Sequence, residues 1–423
     1  MLQVNYIKNN RDLVVEGLKK RNLQSPEIVI DEIIKLDDVR RNTQTESDAV
    51  LSELNTISKS IGQLLKEGKK GEAEAVKSKT TDLKKQSKEL GEKLNRIEEE
   101  LKLALYNIPN IPHESVPAGT SSDDNEIIIE KGVMPSLSES ALAHWDLIEK
   151  YNIIDFELGN KITGAGFPVY KGKGAKLQRA LISFFLEEGE KAGYEEIQPP
   201  VLINQDSGYG TGQLPDKEGQ MYATVEDQLY LIPTAEVPIT NIYRNVILKS
   251  EDLPVRNIGY TLCFRREAGS WGSHVRGLNR LHQFDKVEIV HITKPENSYD
   301  ALDEMCNYVQ GILTKLDLPF RMVKLCGGDL GFTAALTYDM EVYSAAQKKW
   351  LEVSSISNFL TYQANRLRLR YKDENGKNQL LHTLNGSALA LPRIVAAILE
   401  NNQKEDGIRI PEVLIPYTGF EMI

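Results

Sequence analysis

Residues 28–106 constrain the fold most strongly, because they contain no proline and carry apolar side chains in alternating steps of four and three. The spacing recurs in two series, Val50, Leu54, Ile57, Ile61 and Leu64, then Leu90, Leu94, Ile97, Leu101 and Ala104. Such heptad spacing predicts a coiled coil. Gly68 and Gly71 interrupt it between the two series, so we expect an antiparallel helical hairpin. At 1.5 Å per residue, this arm would reach roughly 50–60 Å.

The heptad pattern alone does not indicate what the arm does. A coiled coil can serve in dimerisation, as a spacer or as a binding surface. The lysines near the tip of the arm and further along it form either a solvated face or a phosphate-binding surface. They are Lys66, Lys69, Lys70, Lys77, Lys79, Lys84, Lys85 and Lys88. The net charge of −10 opposes nucleic-acid binding, but the acidic surplus lies beyond residue 110, so any RNA contact must come from local basic clusters.

Composition places the chain among cytoplasmic, reduced proteins. No apolar run approaches the length needed to span a bilayer, so no membrane partner is expected. The amino-terminal residues are amphipathic and of mixed charge, unlike a signal peptide. Cys263, Cys306 and Cys326, with six scattered histidines, offer neither a disulfide framework nor a zinc cluster. We therefore expect no zinc.

Three parts follow one another along the chain. An N-terminal domain is predicted over 1–106, with the arm at about 28–106, then a proline-containing linker or entry segment over 107–135. The remainder, 136–423, mixes helix-like stretches with short β-patterned runs. The stretches are 176–192, 298–316 and 388–402, and the runs are 229–232, 242–248, 258–265, 282–292, 320–325 and 350–356. Several runs are joined by turns too short for parallel crossovers, which predicts an α+β fold with a central antiparallel sheet flanked by helices.

The motifs of the common nucleotide and hydrolase sites are missing. The sequence has no phosphate loop of the G-x-x-x-x-G-K-[ST] type, and KGKGAK at 171–176 lacks its spacing. It also has no G-x-S-x-G elbow and no HExxH pair. If the chain uses ATP, it binds the nucleotide by another device.

Residues 258–292 provide such a device: a β run, a loop rich in arginine and glycine, and a second β run. Arg265 and Arg266 begin the loop, and Arg276 and Arg280 close it. The planar guanidinium binds phosphate bidentately and keeps its charge. An isolated hairpin of this kind could equally be a solvated arginine loop.

The second β run carries three side chains that alternation places on one face, Phe284, Lys286 and Glu288. Phe284 and Glu288 would lie about 13 Å apart at 3.3 Å per residue. That distance suits an aromatic shelf for a base at one end and a carboxylate for an amine at the other.

Five segments, in order, resemble a known family. FRREAGSWG (264–272) with VRGLNRLHQFDKVE (275–288) resembles motif 2 of class II aminoacyl-tRNA synthetases, and specifically that of the seryl enzymes. AGYEEIQPPVL (192–202) resembles motif 1, with Pro200 at the dimer interface. The other similar segments are TGQLP (211–215) with PTAEVPIT (233–240), LEVSSISNF (351–359) and LNGSALALPRIVAAILENNQ (384–403). The similarity extends over the whole chain, including the arm.

The resemblance implies an ATP-dependent ligase that activates L-serine as seryl-adenylate and transfers the seryl group to the 3′ end of tRNA(Ser), and of tRNA(Sec) where present. It assigns catalysis to Arg265 and Arg393, at the α- and γ-phosphate regions. It assigns ATP binding to Arg265, Arg266, Glu267, Leu281, Phe284, Glu352, Val353, Ser354, Ser355 and Arg393, with Mg²⁺ at Glu352 and Ser355. It assigns the serine pocket to Thr234, Ala235, Glu236, Arg265, Glu288, Asn385 and Ser387.

The same resemblance implies a cytoplasmic homodimer whose coiled-coil arm holds the tRNA. Two positions depart from the family pattern: Arg266, where serine or lysine is common, and Ala388, where glycine is frequent. Three alternatives compete with this hypothesis. They are a ligase that charges a carrier instead of tRNA, an inactive coiled-coil binding protein, and a threonyl or prolyl specificity.

Overall fold

The chain divides into two compact units in the computed structural model, which describes residues 1–267 and 276–423. One unit comprises Leu2–Lys19 with Leu23–Pro109. The other comprises Met1, Lys20–Asn22 and Asn110–Ile423. The arginine-rich loop predicted after Phe264 includes residues 268–275, which lie outside the described part.

The first unit is helical. Its helices are α1 (Val4–Asn9), α2 (Arg11–Lys20), α3 (Pro26–Lys66) and α4 (Lys70–Tyr106). With 41 and 37 residues, α3 and α4 are about 60 Å and about 55 Å long at 1.5 Å per residue. Gly68 makes the turn between them with φ +76°, a left-handed conformation that glycine adopts without strain. Gly71, predicted to break the helix as well, lies inside α4, because its backbone conformation is helical.

The seam between α3 and α4 follows the predicted heptads. Val50, Ile97 and Leu101 are buried, and the other members of the two series are half-buried. Lys79 and Glu53 form an ion pair across the seam at 2.7 Å. The predicted antiparallel hairpin is confirmed.

Among the described residues, the second unit is built on an eight-stranded sheet in which the strands lie side by side in the order β1 (Glu126–Lys131), β10 (Phe320–Lys324), β11 (Leu336–Ser344), β12 (Lys349–Asn358), β15 (His382–Ala390), β9 (Gln283–Thr293), β8 (Val255–Phe264) and β4 (Glu195–Glu196). Every pairing in it is antiparallel except that of β4 with β8. The α+β class with an antiparallel-rich sheet is confirmed.

Short strands form four smaller sheets. They are β2 (Ile154–Asp155) with β3 (Val169–Tyr170), β5 (Leu202–Ile203) with β6 (Tyr230–Leu231), β7 (Ile247–Leu248) with β13 (Arg370–Lys372) and β14 (Asn378–Leu380), and β16 (Gln403–Lys404) with β17 (Gly407–Ile408).

Helices α7 (Gly172–Lys191), α10 (Ser298–Lys315) and α12 (Leu391–Asn401) pack on the large sheet and bury its apolar side chains in one core with residues such as Phe184, Val309 and Ile394. The helices of this unit are α5 (His144–Lys150), α6 (Phe156–Ile162), α7 (Gly172–Lys191), α8 (Gln205–Thr211), α9 (Glu236–Asn241), α10 (Ser298–Lys315), α11 (Thr361–Leu367), α12 (Leu391–Asn401) and α13 (Ile415–Thr418). Among the described residues, no helix is long and apolar enough to cross a membrane.

Several sequence boundaries were wrong. Of the β run predicted at 242–248, only β7 is a strand, because the chain turns after α9 and Asn245 takes φ +63°. The helix predicted from 388 begins at Leu391, since β15 continues to Ala390 and Pro392 occupies the first turn of α12. The central strands β11 and β15 were not predicted. The segment interpreted as a linker contains β1, at the edge of the large sheet.

Candidate active site

A cleft of about 540 Å³ is lined by residues of β9, β12, β15 and the start of α12, and by Arg265 and Glu267, which follow β8. The predicted site residues in its lining are Thr234, Glu236, Arg265, Glu267, Leu281, Phe284, Glu288, Glu352, Val353, Ser354, Ser355, Asn385, Ser387 and Arg393. Segments far apart in sequence therefore meet in one cavity, because β15 lies between β12 and β9 in the sheet.

Two predicted residues are not part of this lining. Ala235 is fully buried and packs in a separate core with Ile239 and Val290, so its side chain does not reach the cleft. The Arg266 side chain is exposed, and its backbone N–H donates to the Gln220 carbonyl at 2.8 Å.

One end of the cleft holds a buried ion pair. Lys286 Nζ lies 2.6 Å from Glu288 Oε2 and donates to Thr234 Oγ1 at 2.8 Å. Strand register places Ser387 opposite Glu288, and its hydroxyl donates to Glu288 Oε2 at 3.2 Å. All four side chains are buried. A buried charge is tolerated when it is paired and hydrogen-bonded. The charged groups of Lys286 and Glu288 are therefore held in place in the cleft lining, where they can bind a small polar ligand.

Glu236 lies at the same end, at the first residue of α9. Burial and the nearby Glu288 raise the pKa of Glu236 to about 7. Gln363 Nε2 donates to Glu236 Oε1 at 2.6 Å and is itself oriented by Thr383, whose hydroxyl donates to Gln363 Oε1 at 2.8 Å. These two hydrogen bonds therefore fix the orientation of the Glu236 carboxyl group.

The other end is rich in arginine. The Arg265 guanidinium lies 5.3 Å from the centre of the Phe284 ring, within range for a cation–π contact. Glu267 pairs with Arg280. Arg393 Nε donates to the Asn279 carbonyl at 3.1 Å, and its Nη1 donates to the Glu352 carbonyl at 2.6 Å. Two guanidinium groups and an aromatic face thus line one half of the cavity, a combination that suits a nucleotide.

A bulge in β12 brings Glu352 and Ser355 to the same cavity. Residues three apart on a regular strand face opposite sides. Here the register shifts between Met340 and Glu341, which pair with Ser354 and Glu352, so Val353 has no partner on β11. The extra residue turns the following side chains over, which lets both Glu352 and Ser355 line the cleft.

The chain matches two protein-family models. A seryl-tRNA synthetase N-terminal domain covers residues 1–112, and a tRNA synthetase class II core domain (G, H, P, S and T) covers 221–402. The serine–tRNA ligase of Salinibacter ruber is 50% identical over 425 residues, which cover 100% of this chain and 99% of the relative. The chain belongs to the seryl-tRNA synthetase family. The resemblance inferred from the ordered motifs is confirmed.

Solved structures of seryl-tRNA synthetases share the fold. The enzyme of Pyrococcus horikoshii, determined in complex with ATP, has a TM-score of 0.92 and 34% identity, with 100% of this chain and 99% of that chain covered. The cytoplasmic enzyme of Naegleria fowleri, in complex with AMP, has a TM-score of 0.87 and 27% identity, with 100% and 98% covered.

The seryl-tRNA synthetase motifs did not predict every residue of the cleft. Lys286 was expected on the same face as Glu288, but no role was assigned to it. Gln363 is separated from Glu236 by 127 residues, and a local pattern carries no signal for that contact. Asn279 and Gln220 also line the cleft, from irregular segments whose side-chain directions follow no period.

Proposed function

We propose that this chain is a serine–tRNA ligase, which activates L-serine with ATP and transfers the seryl group to the 3′ end of tRNA(Ser). The observation that carries the proposal is the division of one cleft into two ends. Buried carboxylates Glu236 and Glu288 lie at one end, and Arg265 and Arg393 line the other. An amine-bearing substrate and a polyphosphate can therefore meet between them.

Serine binds at the carboxylate end. Its ammonium group pairs with Glu236 and Glu288 beside Thr234, and its hydroxyl bonds to the Glu288–Ser387 pair. Asn385 completes the pocket, and Arg265 meets the serine carboxylate where it approaches the phosphate. Alanine is rejected because it leaves the buried polar groups unpaired. Threonine is excluded by volume.

ATP binds at the arginine end. Arg265 holds the α-phosphate region and Arg393 the γ-phosphate region, by bidentate contacts that suit a guanidinium. Phe284 stacks on the adenine, with Glu267 and the Leu281 backbone beside the nucleotide. The Arg266 backbone anchors the neighbouring segment through Gln220, while its exposed side chain is free to meet the nucleotide's outer edge.

The residues on β12 fit a magnesium ion. Glu352 and Ser355 offer oxygen ligands, the type that Mg²⁺ prefers together with phosphate oxygens. Behind them, Asp339 accepts a hydrogen bond from Ser355, and its Oδ1 is buried without a hydrogen-bond partner among the described residues. Bound there, the ion would neutralise phosphate charge. Ser354 Oγ donates to the Ser387 carbonyl at 2.5 Å, which fixes β12 against β15 beside the nucleotide. Val353 lines the same part of the cleft.

The chemistry needs no protein nucleophile. The serine carboxylate attacks the α-phosphorus, the bond to pyrophosphate breaks, and seryl-adenylate remains bound. The 3′-terminal hydroxyl of the tRNA then attacks the activated carbonyl, loses its proton, and AMP leaves. The side chains supply orientation and charge stabilisation, the main terms in phosphoryl-transfer chemistry.

The helical unit provides the tRNA contact in this proposal. Its exposed lysines, including Lys77, Lys84 and Lys88, suit a phosphate backbone recognised by shape and charge. The protein acts in the cytoplasm as a homodimer, with motif 1 around Pro200 at the subunit contact, and also charges tRNA(Sec) where that tRNA is present.

Serine-dependent exchange of pyrophosphate into ATP tests the activation step. We expect exchange with serine, and rates at least 100-fold lower in kcat/KM with alanine, glycine or threonine, because a single unsatisfied or overcrowded site costs several kcal/mol. Equal exchange with threonine, or none with serine, would contradict the proposed specificity.

A further inference from the structure

A buried histidine–carboxylate pair lies behind the candidate site and outside its lining. His144 begins α5, Glu400 lies near the end of α12, and neither side chain is exposed. His144 Nδ1 lies 2.7 Å from Glu400 Oε1, and the backbone N–H of His144 donates to the same oxygen at 2.9 Å. The Ser344 hydroxyl donates to Glu400 Oε2. Burial alone would raise the pKa of Glu400, but these hydrogen bonds outweigh it and hold the pKa below its ordinary value, so the carboxylate stays ionised.

The other nitrogen of the His144 ring faces the cleft wall. His144 Nε2 lies 2.8 Å from the backbone N–H of Leu278. A backbone N–H can only donate, so Nε2 must be the acceptor and the ring hydrogen lies on Nδ1, toward Glu400. The turn is closely fitted to the ring, since a Cβ added at Gly277 would lie 2.3 Å from His144 Nε2.

A second connection runs from the same carboxylate to the same turn. Gln347 Nε2 donates to Glu400 Oε1 at 2.9 Å, and Gln347 Oε1 accepts from Asn279 Nδ2 at 2.9 Å. Asn279 lines the cleft, and its carbonyl accepts the Arg393 Nε hydrogen bond at 3.1 Å. Glu400 is thus linked to Arg393 through two chains of hydrogen bonds that converge on Gly277–Asn279.

We propose that His144 and Glu400 are positioning residues for ATP, which hold the turn Gly277–Asn279 and through it the guanidinium of Arg393. The inference rests on the proposed function, in which Arg393 receives the terminal phosphates. Neither residue touches substrate. Their effect is geometric, because a guanidinium displaced by about an ångström loses a large part of its value to the reaction.

Replacing His144 tests the proposal. His144→Phe keeps a planar aromatic ring, slightly larger than imidazole, and removes both the donor and the acceptor. In serine-dependent ATP–pyrophosphate exchange we expect kcat/KM for ATP to fall roughly 10–100-fold, as for misplacement of a catalytic group, with the KM for serine changing less than about twofold. His144→Gln should recover part of the loss, because its amide oxygen can accept the Leu278 N–H.

His291→Phe is the matched control. His291 is equally buried, at 1% exposed, and its Nε2 is bonded to the Tyr194 hydroxyl at 2.9 Å. Alternation places it on the opposite face of β9 from Glu288. We expect this variant to lose thermal stability, as His144→Phe does, while keeping its KM for ATP. An equal rise in the KM for ATP in both variants would assign the effect to general loss of packing and overturn the proposal.

Gln347→Met keeps the test decisive if the His144 variant fails to fold. Gln347 is half-buried in the turn between β11 and β12, so the change is expected to be tolerated. It should lower kcat/KM for ATP several-fold, and the combined His144→Phe/Gln347→Met effect should be smaller than the product of the two, because both side chains hold the same turn, Gly277–Asn279. Unchanged ATP kinetics in these variants, beside normal exchange by the unsubstituted protein, would overturn this inference alone. Absence of exchange in the unsubstituted protein would overturn the proposed function and this inference with it.

Discussion

Glu236 illustrates how a buried residue acquires a charge that depends on its surroundings. Its carboxyl group is removed from water, and Glu288 is close by, so its pKa rises to about 7. Three neighbours act in the opposite direction and lower the pKa: Gln363 donates a hydrogen bond, Lys286 supplies positive charge, and Asn385 adds a second hydrogen bond. The group therefore changes from neutral to ionised near neutral pH, and a bound ammonium group favours the ionised form.

Glu236→Gln should remove a pH dependence from serine binding. Because a raised pKa leaves the free carboxyl protonated at pH 6, the KM for serine should fall as the pH rises from about 6 to about 8. The glutamine variant should lose this slope and show a KM roughly 10–100-fold higher at pH 8, the cost of losing a hydrogen bond to a charged partner. Exchange kinetics across the pH range measure both effects.

Glu190→Gln on the exposed face of α7 is the matched control, since it removes a carboxylate far from the cleft lining. It should retain the slope. The same slope in Glu236→Gln would show that another group titrates.

Some of the side chains that line the cleft could be predicted from the sequence. Alternation along β9 places Phe284, Lys286 and Glu288 on one face, and all three line the cavity. Gln363 could not be predicted in the same way, because its contact with Glu236 depends on how α11 packs on α8 and β15. The partnership of His144 with Glu400 spans 256 residues, and no local pattern encodes it.

The arm shows what periodicity predicts well and where it stops. Two long heptad series give the hairpin and its seam, since packing along a coiled coil is periodic. The run at 242–248 is short and apolar, and such runs do not distinguish a strand from a helix end followed by a turn. The bulge at Val353 depends on register with β11, so the meeting of Glu352 with Ser355 was implied only by family resemblance.

Deleting residues 40–100, with a short glycine linker in their place, should separate the two activities. The cleft residues all lie in the other compact unit, so pyrophosphate exchange should remain within about threefold of the intact protein. Transfer to tRNA should fall at least 100-fold, because the phosphate contacts of the arm are lost. Retained charging would contradict the tRNA role of the arm.

Replacing Lys77, Lys84 and Lys88 with glutamine tests the same role of the arm in tRNA binding without deleting the arm. These side chains are exposed, and their loss should weaken tRNA binding and lower its salt dependence without affecting exchange. Lys348, Lys372 and Lys377, exposed in the other unit, provide the matched control. Equal effects of the two triple variants would point to net charge rather than to a site on the arm.

At the scale of the whole molecule, a chain with net charge −10 must bind an anionic partner against its mean field. Family membership explains this combination better than composition does, because composition alone opposed an RNA partner. The order of the segments also carried the assignment. Each motif alone had an ordinary structural explanation, whereas five in sequence are typical of one family.

Charging of purified tRNA(Ser) with labelled serine, in the presence of ATP and Mg²⁺, directly tests whether the chain is a serine–tRNA ligase. We expect serine to be esterified to the 3′ end of the tRNA, with one AMP formed for each transfer, and no comparable transfer of threonine or alanine. Serine-dependent pyrophosphate exchange without any transfer to tRNA would contradict it, and would instead indicate a ligase that delivers serine to a different acceptor.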